Sequence, residues 1–184
     1  MFAAMSFTRS CTRILDQSMK IALVFVVAVA LANSSHSQKL DVKQCSDHGT
    51  ENDIEIKSAN VKDLEVGKTV HVDIIIRAIK ELHSNPQLKL DVFTSDKVRV
   101  PCVLGLGSCT YKMCDGSSGM EKFLSSAWEG KCPIKAQKYE KTLSFYVPSI
   151  LRTSIGDGRF HFRAEMMDGG KTVGCQEFDV RIKV

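Results

Sequence analysis

Cysteine is the residue type in this chain whose number and spacing most clearly predict chemistry. The sequence has 184 residues and seven cysteines, of which Cys11 lies in a segment that we expect to be removed. The other six include the run C-x6-C-x4-C-x17-C from Cys102 to Cys132. This run lacks the closely paired ligands of zinc modules, and no histidine lies near it. An even number of cysteines in an exported chain predicts three disulfide bonds, with free buried thiols as the alternative.

Histidine is the second residue type that could carry chemistry, but its spacing is uninformative. His48, His71, His83 and His161 form no pair at metal-ligand spacing. The sequence has no G-x-S-x-G, H-E-x-x-H or phosphate-loop motif, and Gly105-Leu106-Gly107 is too short for a dinucleotide fingerprint. We therefore predict no enzyme activity, no metal site and no cofactor. A scattered Ser/His/Asp triad is the alternative that the sequence leaves open.

Composition excludes several broad classes of protein. The chain is 43% hydrophobic and 25% charged, which is typical of a globular protein rather than a disordered chain or a multi-span membrane protein. Its 25 basic and 21 acidic residues give a net charge of +4 that is spread along the chain. This small excess argues against a nucleic-acid partner.

An apolar segment near the N-terminus predicts export. Residues 21–32 are apolar throughout, Lys20 precedes them, and an A-x-A cleavage signal ends at Ala32. These twelve residues suit a secretory h-region and fall short of the roughly 20 that span a membrane. We expect a signal peptide over residues 1–37, cleaved after Ala32 or after Ser37.

The mature chain is expected to be one secreted domain over residues 38–184. An N-glycosylation sequon, Asn33-Ser34-Ser35, stands at the edge of that domain. Cleavage after Ser37 would remove the sequon. Secretion is therefore the predicted localisation.

Alternating apolar and polar residues predict β-strands over most of the mature chain. Each such segment places apolar side chains on one face, as a strand with one buried face requires. The main segments are Thr69–Ile79, Leu88–Val92, Leu143–Val147, Phe160–Met166 and Phe178–Val184, with shorter candidates at Ile54–Ile56 and Val98–Val100. About seven strands predict an all-β antiparallel sandwich.

Residues 102–133 depart from that pattern. They contain four of the cysteines, several glycines and a short amphipathic stretch at Met120–Trp128. We expect a disulfide-tied insert with about two helical turns. Apolar side chains such as Phe123 and Leu124 in a loop-like region must bury against something. That surface is the sandwich itself, a protein partner or a lipid.

A resemblance adds to this interpretation. The segments that carry it are Val98–Tyr111 (VRVPCVLGLGSCTY), Cys114-Asp115, Lys131–Lys135 (KCPIK), Phe145–Pro148 (FYVP) and Gly170–Cys175 (GKTVGC). In this order, and with six matched cysteines, they resemble the ganglioside activator (GM-2 activator) family. That family belongs to the MD-2-related lipid-recognition (ML) domains. The likeness runs from about Cys45 to the C-terminus.

The resemblance implies an immunoglobulin-like sandwich, or β-cup, whose two sheets part to hold a lipid in a central cavity. It pairs Cys45 with Cys175, Cys102 with Cys109, and Cys114 with Cys132. The chain departs from the family by lacking a fourth disulfide in the insert. It also has Lys97 where the family has a tryptophan that helps it to enter membranes.

Two sets of candidate site residues follow from the strand faces and the resemblance. The first would line the cavity, although each member could instead be ordinary core: Val72, Ile74, Leu90, Val98, Val100, Phe123, Leu124, Trp128, Phe145, Val147, Phe160, Phe162 and Met166. The second is a rim that would face an anionic membrane: Lys97, Arg99, Ile150, Leu151 and Arg152. Electrostatic docking by this rim would strengthen in acid, and the alternative is docking by Trp128 as an apolar anchor.

The predicted function is lipid binding or transfer without catalysis. A (glyco)sphingolipid or another acyl lipid would occupy the cavity and be presented to a hydrolase or an acceptor, as a sphingolipid activator does in ganglioside catabolism. A lysosomal glycosidase is a candidate partner, and a bound lipid is the one expected ligand. The resemblance also implies lysosomal residence as the alternative to secretion, since lysosomal members of the family are delivered through an N-glycan. The alternatives are a sterol or fatty-acid carrier of the same fold, and a secreted receptor-binding ligand or co-receptor.

Overall fold

The computed structural model describes residues 37–47, 49, 52–153 and 155–183. The expected signal peptide, apart from Ser37, lies outside these residues, as do the sequon and His48. The described chain forms nine strands, one α-helix and two 3₁₀ turns. The strands are β1 (Ser37–Lys39), β2 (Lys43–Gln44), β3 (Ile54–Lys62), β4 (Thr69–Ala78), β5 (Gln87–Thr94), β6 (Thr110–Lys112), β7 (Lys138–Tyr146), β8 (Arg159–Asp168) and β9 (Lys171–Arg181). Helix α1 is Gly119–Ser125, and the 3₁₀ turns are Ser126–Trp128 and Ser149–Thr153.

Two antiparallel sheets pack into a sandwich. The strand order is β1-β3-β4-β7 in the four-stranded sheet and β2-β9-β8-β5-β6 in the five-stranded sheet. All of these pairings are antiparallel. The predicted all-β sandwich is confirmed. The short strands β1 and β2 before Cys45, and β6 within the expected insert, are additions to the predicted strands.

Strand β4 lies inside its sheet and carries the clearest alternation. Val70 pairs with Phe145 of β7, and Ile76 pairs with Tyr139, so apolar residues of neighbouring strands share the inner face. His71 lies on the opposite face and is exposed. A slip of one residue would turn Val70, Val72, Ile74 and Ile76 toward solvent, so the alternation itself fixes the register.

The candidate strand Val98–Val100 is not a strand of either sheet. Arg99 forms a single bridge with Phe93, and the Val100 N–H donates to the Val92 carbonyl oxygen at 2.8 Å. A tight turn at the end of β5 reverses the chain just before this segment. Because the segment is so short, it lies beside β5 without continuing the sheet.

Hydrogen bonds join the two sheets along one side, where β3 meets β9. The Asp53 N–H donates to the Val173 carbonyl oxygen at 2.7 Å. The buried Gln176 side chain accepts from the Ile56 N–H at 2.6 Å and donates to the Ile56 carbonyl oxygen at 3.1 Å. Gln176 thus satisfies backbone groups of β3 that lie beyond the reach of the short strand β1. This side of the sandwich is closed.

Three disulfide bonds hold the loops to this frame. They are Cys45–Cys175, Cys102–Cys109 and Cys114–Cys132, which are the pairs that the resemblance implies. The first joins residues 130 positions apart. Closing so long a loop stabilises the fold by about 4–5 kcal/mol in the chain-entropy model.

Helix α1 begins with a capping box that also ties the insert to β6. The Ser118 hydroxyl accepts from the Glu121 N–H at 3.2 Å, and the Glu121 carboxylate accepts from the Ser118 N–H at 2.9 Å. The same carboxylate accepts from the N–H groups of Lys112 and Ser117, each at 3.0 Å. These backbone donors, with Ser118 and Lys112 foremost, lower the pKa of Glu121 to about 2.

Candidate functional site

The inner faces of the two sheets form two closed apolar clusters. Strands β4 and β8 each contribute one end to each cluster, so the clusters occupy opposite ends of the sandwich. The first contains Leu40, Ala59, Val61, Leu64, Val66, Val70, Val92, Val147, Ile155, Phe160 and Val180. The second contains Ile54, Ile76, Ala78, Leu82, Met113, Ala127, Trp128, Ile134, Tyr139, Leu143 and Met166.

Between these ends several apolar residues of the inner faces are only half-buried. On β4, Val70 and Ile76 are buried, whereas Val72 and Ile74 between them are partly accessible. Phe162, midway along β8, is also half-buried. Side chains trapped between two fully closed sheets would be inaccessible, because protein interiors are close-packed. The two sheets therefore leave apolar surface accessible between the closed ends.

We name this accessible middle the inner hollow and define it by its half-buried strand residues. They are Ile56, Val72, Ile74, Leu88, Leu90, Phe145, Phe162 and Phe178. Phe162 and Phe178 stack on the five-stranded sheet with ring centroids 5.5 Å apart and planes inclined by 5°. The hollow is thus lined by aliphatic and aromatic groups, which suit an apolar ligand.

The insert bridges the sheet edges that lie opposite the closed β3–β9 side. It is attached beside β6 by the Cys114–Cys132 disulfide. At β7, Phe123 of α1 meets Phe145 edge-on, with centroids 5.1 Å apart and planes at 70°. Leu124 is half-buried beside it. The hollow is therefore bordered by hydrogen-bonded strands on one side and by a disulfide-tied helix on the other.

A charged pair lies at this second border. Lys141 pairs with Ile74 across the β4–β7 ladder, so it shares the inner face, and its Nζ lies 2.7 Å from a carboxylate oxygen of Glu129. Lys131 binds the other oxygen at 2.9 Å, and the two lysines lower the pKa of Glu129 to about 2. Lys141 was not predicted as a site residue. The signal that identifies it is a cation at an inward position of an apolar alternation.

The predicted cavity residues fall into three groups by burial. Eight are half-buried and pack against the clusters: Val72, Ile74, Leu90, Val100, Phe123, Leu124, Phe145 and Phe162. Four are buried within the closed ends: Trp128, Val147, Phe160 and Met166. Val98 is 62% exposed, so its assignment to the cavity is wrong. The turn at the end of β5, where Lys97 has a φ of 62°, breaks the alternation on which that assignment depended.

Three residues of the hollow were left out of the predicted set. Ile56, Leu88 and Phe178 all lie on strands whose alternation was recognised. The same period-two signal that selected Val72 and Phe162 would therefore have selected them too.

The predicted rim residues differ in their exposure. Ile150 is 76% exposed, and Lys97 and Arg152 are exposed as well. Leu151 instead is half-buried against the first cluster. The Arg99 guanidinium lies 2.6 Å from the Asp91 carboxylate, so its charge is already paired.

Trp128 is not an exposed anchor. Its side chain is buried in the second cluster with 4% exposure, and its indole N–H donates to the Met113 carbonyl oxygen at 3.1 Å. The alternative in which Trp128 docks the protein on a membrane is therefore wrong. The insert turns its largest aromatic side chain toward the sandwich.

A shallow depression of about 620 Å³ lies on the outer face of the four-stranded sheet. Its lining includes Ile75, Ile79, Arg77, Lys57 and Lys138, and none of the predicted cavity residues. This depression is a surface feature separate from the inner hollow, and it shares no lining residue with the hollow.

The histidines of the described chain lie in ordinary surface contacts. His71 Nδ1 lies 2.8 Å from the Ser144 hydroxyl oxygen, and His161 Nδ1 lies 3.0 Å from an Asp179 carboxylate oxygen. Within the described ranges, no group of three or more His, Cys, Asp or Glu side chains could hold a metal ion. No helix in those same ranges is both long and apolar enough to cross a bilayer.

Comparison with known proteins gives this geometry a family. Residues 39–182 match the ML domain model. Over 97 residues the chain is 31% identical to the ganglioside GM2 activator of Mus musculus, a match that covers 47% of this chain and about half (50%) of that relative. A solved Niemann-Pick type C2 protein from the Japanese carpenter ant aligns with a TM-score of 0.42 and 14% identity, over 81% of this chain and 92% of that one. Because the family model matches well over half of the chain, this protein belongs to the ML domain family of lipid-binding proteins.

Proposed function

We propose that this protein binds one lipid non-covalently, with the acyl chains in the inner hollow, and does no covalent chemistry on it. The observation that carries the proposal is the half-buried apolar row between two closed clusters. Moving a methylene group from water to such a surface is worth about 0.8 kcal/mol. A long acyl chain therefore supplies enough free energy to hold the lipid without a covalent link.

The head group would stay at the insert border of the hollow. Lys141, Lys131 and Glu129 are charged groups on that border, and all three keep part of their side chains exposed. They would form hydrogen bonds with a polar head group while the acyl chains are buried. A head group held there remains accessible to a hydrolase or an acceptor.

The lipid class that we propose is a glycosphingolipid. The support is the 31% identity with a mouse protein named as the ganglioside GM2 activator, in a match that spans 50% of that protein's length. Presentation to a lysosomal glycosidase, secretion from the cell and contact of the rim with an anionic membrane complete the proposal. Ile150, Lys97 and Arg152 are the rim residues whose exposure suits such contact.

The hollow is tested with an environment-sensitive fluorescent fatty acid added to the purified protein. Replacing Phe123 and Leu124 together by Asp should weaken probe binding about tenfold or more, because charge would replace apolar surface at the border. Ile79→Asp is the matched control, since Ile79 is 49% exposed and lies on the outer depression. Circular dichroism must show that both variants fold. Equal affinity in all three proteins would overturn the proposal.

A series of saturated fatty acids measures the same interaction without mutation. Each added methylene should lower Kd about fourfold until the hollow is full, since 1.4 kcal/mol corresponds to a factor of ten. Cholesterol serves as the competitor. An affinity that ignores chain length, with displacement of the probe by cholesterol alone, would favour a sterol carrier.

A further inference from the structure

The most exposed large apolar side chain in the described residues is Leu104, at 95%. Its neighbour Val103 is 59% exposed. Both lie in the short loop that the Cys102–Cys109 disulfide closes, beyond the end of β5. We name Val103 and Leu104 the apolar tip. It belongs neither to the inner hollow nor to the predicted rim.

The tip stands on a rigid turn. The Val103 N–H donates to the Leu106 carbonyl oxygen at 2.9 Å, and the Leu106 N–H donates back to the Val103 carbonyl oxygen at 3.0 Å. Leu104 and Gly105, between them, have φ angles of 52° and 75°, as in a two-residue hairpin turn. The Tyr111 hydroxyl donates to the Gly105 carbonyl oxygen at 3.0 Å. The disulfide and these hydrogen bonds hold the tip in one position.

Leucine is energetically disfavoured at the position of Leu104 in this type of turn. Both central positions of this turn favour Gly, Asn or Asp, because side chains with a Cβ are strained at positive φ. A branched aliphatic side chain has no local hydrogen bond to offset that strain. At 95% exposure it gains no packing either. Folding does not account for a leucine here, whereas contact with an apolar partner does.

The segment of chain that carries the tip contains no charged residue. Residues 100–111 contain no Asp, Glu, Lys, Arg or His, although a quarter of the whole chain (25%) is charged. The backbone groups of Val103 and Leu106 are paired within the turn. Burying the tip in hydrocarbon would therefore leave neither a charge nor these amide groups without a partner.

We propose that Val103 and Leu104 insert into the apolar layer of a lipid bilayer and anchor the protein there. This inference rests on the proposed function, because a bilayer is where the bound lipid would come from. A protein partner fits less well, since two side chains on a narrow turn fall far below the roughly 800 Å² per side of a stable protein interface. Lipid chains, unlike a folded surface, rearrange around a small wedge.

Co-sedimentation with neutral phosphatidylcholine vesicles tests the anchor. Leu104→Ser should reduce the partition coefficient about tenfold, while Ile79→Ser, a matched exposed aliphatic on the outer face of the four-stranded sheet, should leave it unchanged. Added salt should change binding little, because no charge takes part. Equal partitioning of L104S and the natural protein would overturn the proposal.

A fluorescent side chain at the tip reports its depth directly. Leu104→Trp should show a blue-shifted emission and quenching by brominated acyl chains when vesicles are added. The signal of the natural protein, which contains only the buried Trp128, is the background to subtract. A tryptophan at position 104 that stays red-shifted and unquenched on bound vesicles would also overturn the proposal.

Two further measurements separate this inference from the proposed function. Tip variants should bind the soluble fatty-acid probe as well as the natural protein does when no vesicles are present. If probe binding fails in every protein but vesicle binding still depends on Leu104, the hollow is refuted and the anchor is supported. Dimerisation that depends on Leu104, with no vesicle binding, would assign the tip to a second copy and overturn the membrane anchor.

Discussion

The two disulfide-closed loops of this protein differ in whether their apolar side chains are exposed to solvent or buried. The loop between Cys102 and Cys109 leaves Leu104 at 95% exposure, whereas the insert between Cys114 and Cys132 buries Trp128 to 4%. Both are irregular, both follow the same sheet edge, and both are rich in apolar residues. The difference follows from loop length, because the insert is long enough to fold back onto β7 and the first loop is not.

This comparison indicates that an apolar residue in a loop does not by itself reveal whether its side chain is buried in the core or exposed for an external contact. In the insert, a helix and a 3₁₀ turn bring Phe123 and Trp128 against the sandwich. In the shorter loop, a two-residue turn directs Leu104 away from it. The first arrangement adds to stability and borders the hollow. The second contributes nothing to the core and suits an external contact.

The largest expected difference between the loops is in stability. Trp128→Ala should lower the free energy of unfolding by about 3–5 kcal/mol, because it empties a buried site and orphans the Met113 carbonyl oxygen. Leu104→Ala should change it by less than about 0.5 kcal/mol, as an exposed substitution does. Urea unfolding followed by circular dichroism measures both. Similar losses in the two variants would contradict this contrast between the two loops.

A smaller effect concerns the capping box of the insert and its dependence on pH. Ser118→Ala should cost about 1 kcal/mol of stability, as loss of an N-cap does. The pKa of Glu121 is lowered from 4.5 to about 2, so the stability that this carboxylate contributes is present above pH 4.5 and is lost as the pH falls toward 2.

Thermal unfolding of Glu121→Gln between pH 2 and pH 4.5 and above tests the sign of this pH dependence of stability. The variant should be less stable than the natural protein above pH 4.5, and the two curves should converge near pH 2. Lys122→Gln, which changes a charge in the same helix outside the capping box, is the control. A gap between the curves that stays constant down to pH 2 would mean that the ionised carboxylate is not what caps the helix.

The smallest expected effect is a gain in stability, whereas the variants above lose stability. Leu104→Gly should leave the free energy of unfolding unchanged or raise it by up to about 1 kcal/mol, because glycine relieves the strain of a positive φ while gaining entropy in the unfolded chain. Chemical denaturation measures this change, and the same variant should lose vesicle binding. A loss of stability above about 1 kcal/mol would show that Leu104 supports the fold instead.

Much of the frame could be predicted because it follows from local alternation. Strands β4, β7, β8 and β9 each show period two with one apolar face, and the structure has all four. Val98 shows the limit of that signal: three residues beside a tight turn read as a strand, yet its side chain points to solvent. The disulfide pairs came from the resemblance, since six cysteines alone allow 15 connectivities.

The candidate site was predicted less well, for a reason that concerns distance. Alternation states which side of a strand a residue faces, and it correctly turned Val72 and Val147 inward. It does not state how far the opposite sheet lies. Val147 is therefore buried core and Val72 part of the hollow, although their patterns look alike. The inward position of Lys141 could have been recognised from the alternation of β7, but its ion pair with Glu129, on a different segment, could not.

The sequence by itself determined the inner and outer faces of the strands, the content of the insert and the family of the fold, because each depends on residues close together in the chain or on an ordered set of motifs. Only the tertiary structure decided where the sandwich is closed and where it is open. That outcome depends on contacts between distant residues, such as Gln176 with Ile56 and Phe123 with Phe145. The tertiary structure also decided which apolar loop side chains are buried, because the burial of a side chain depends on the residues that surround it.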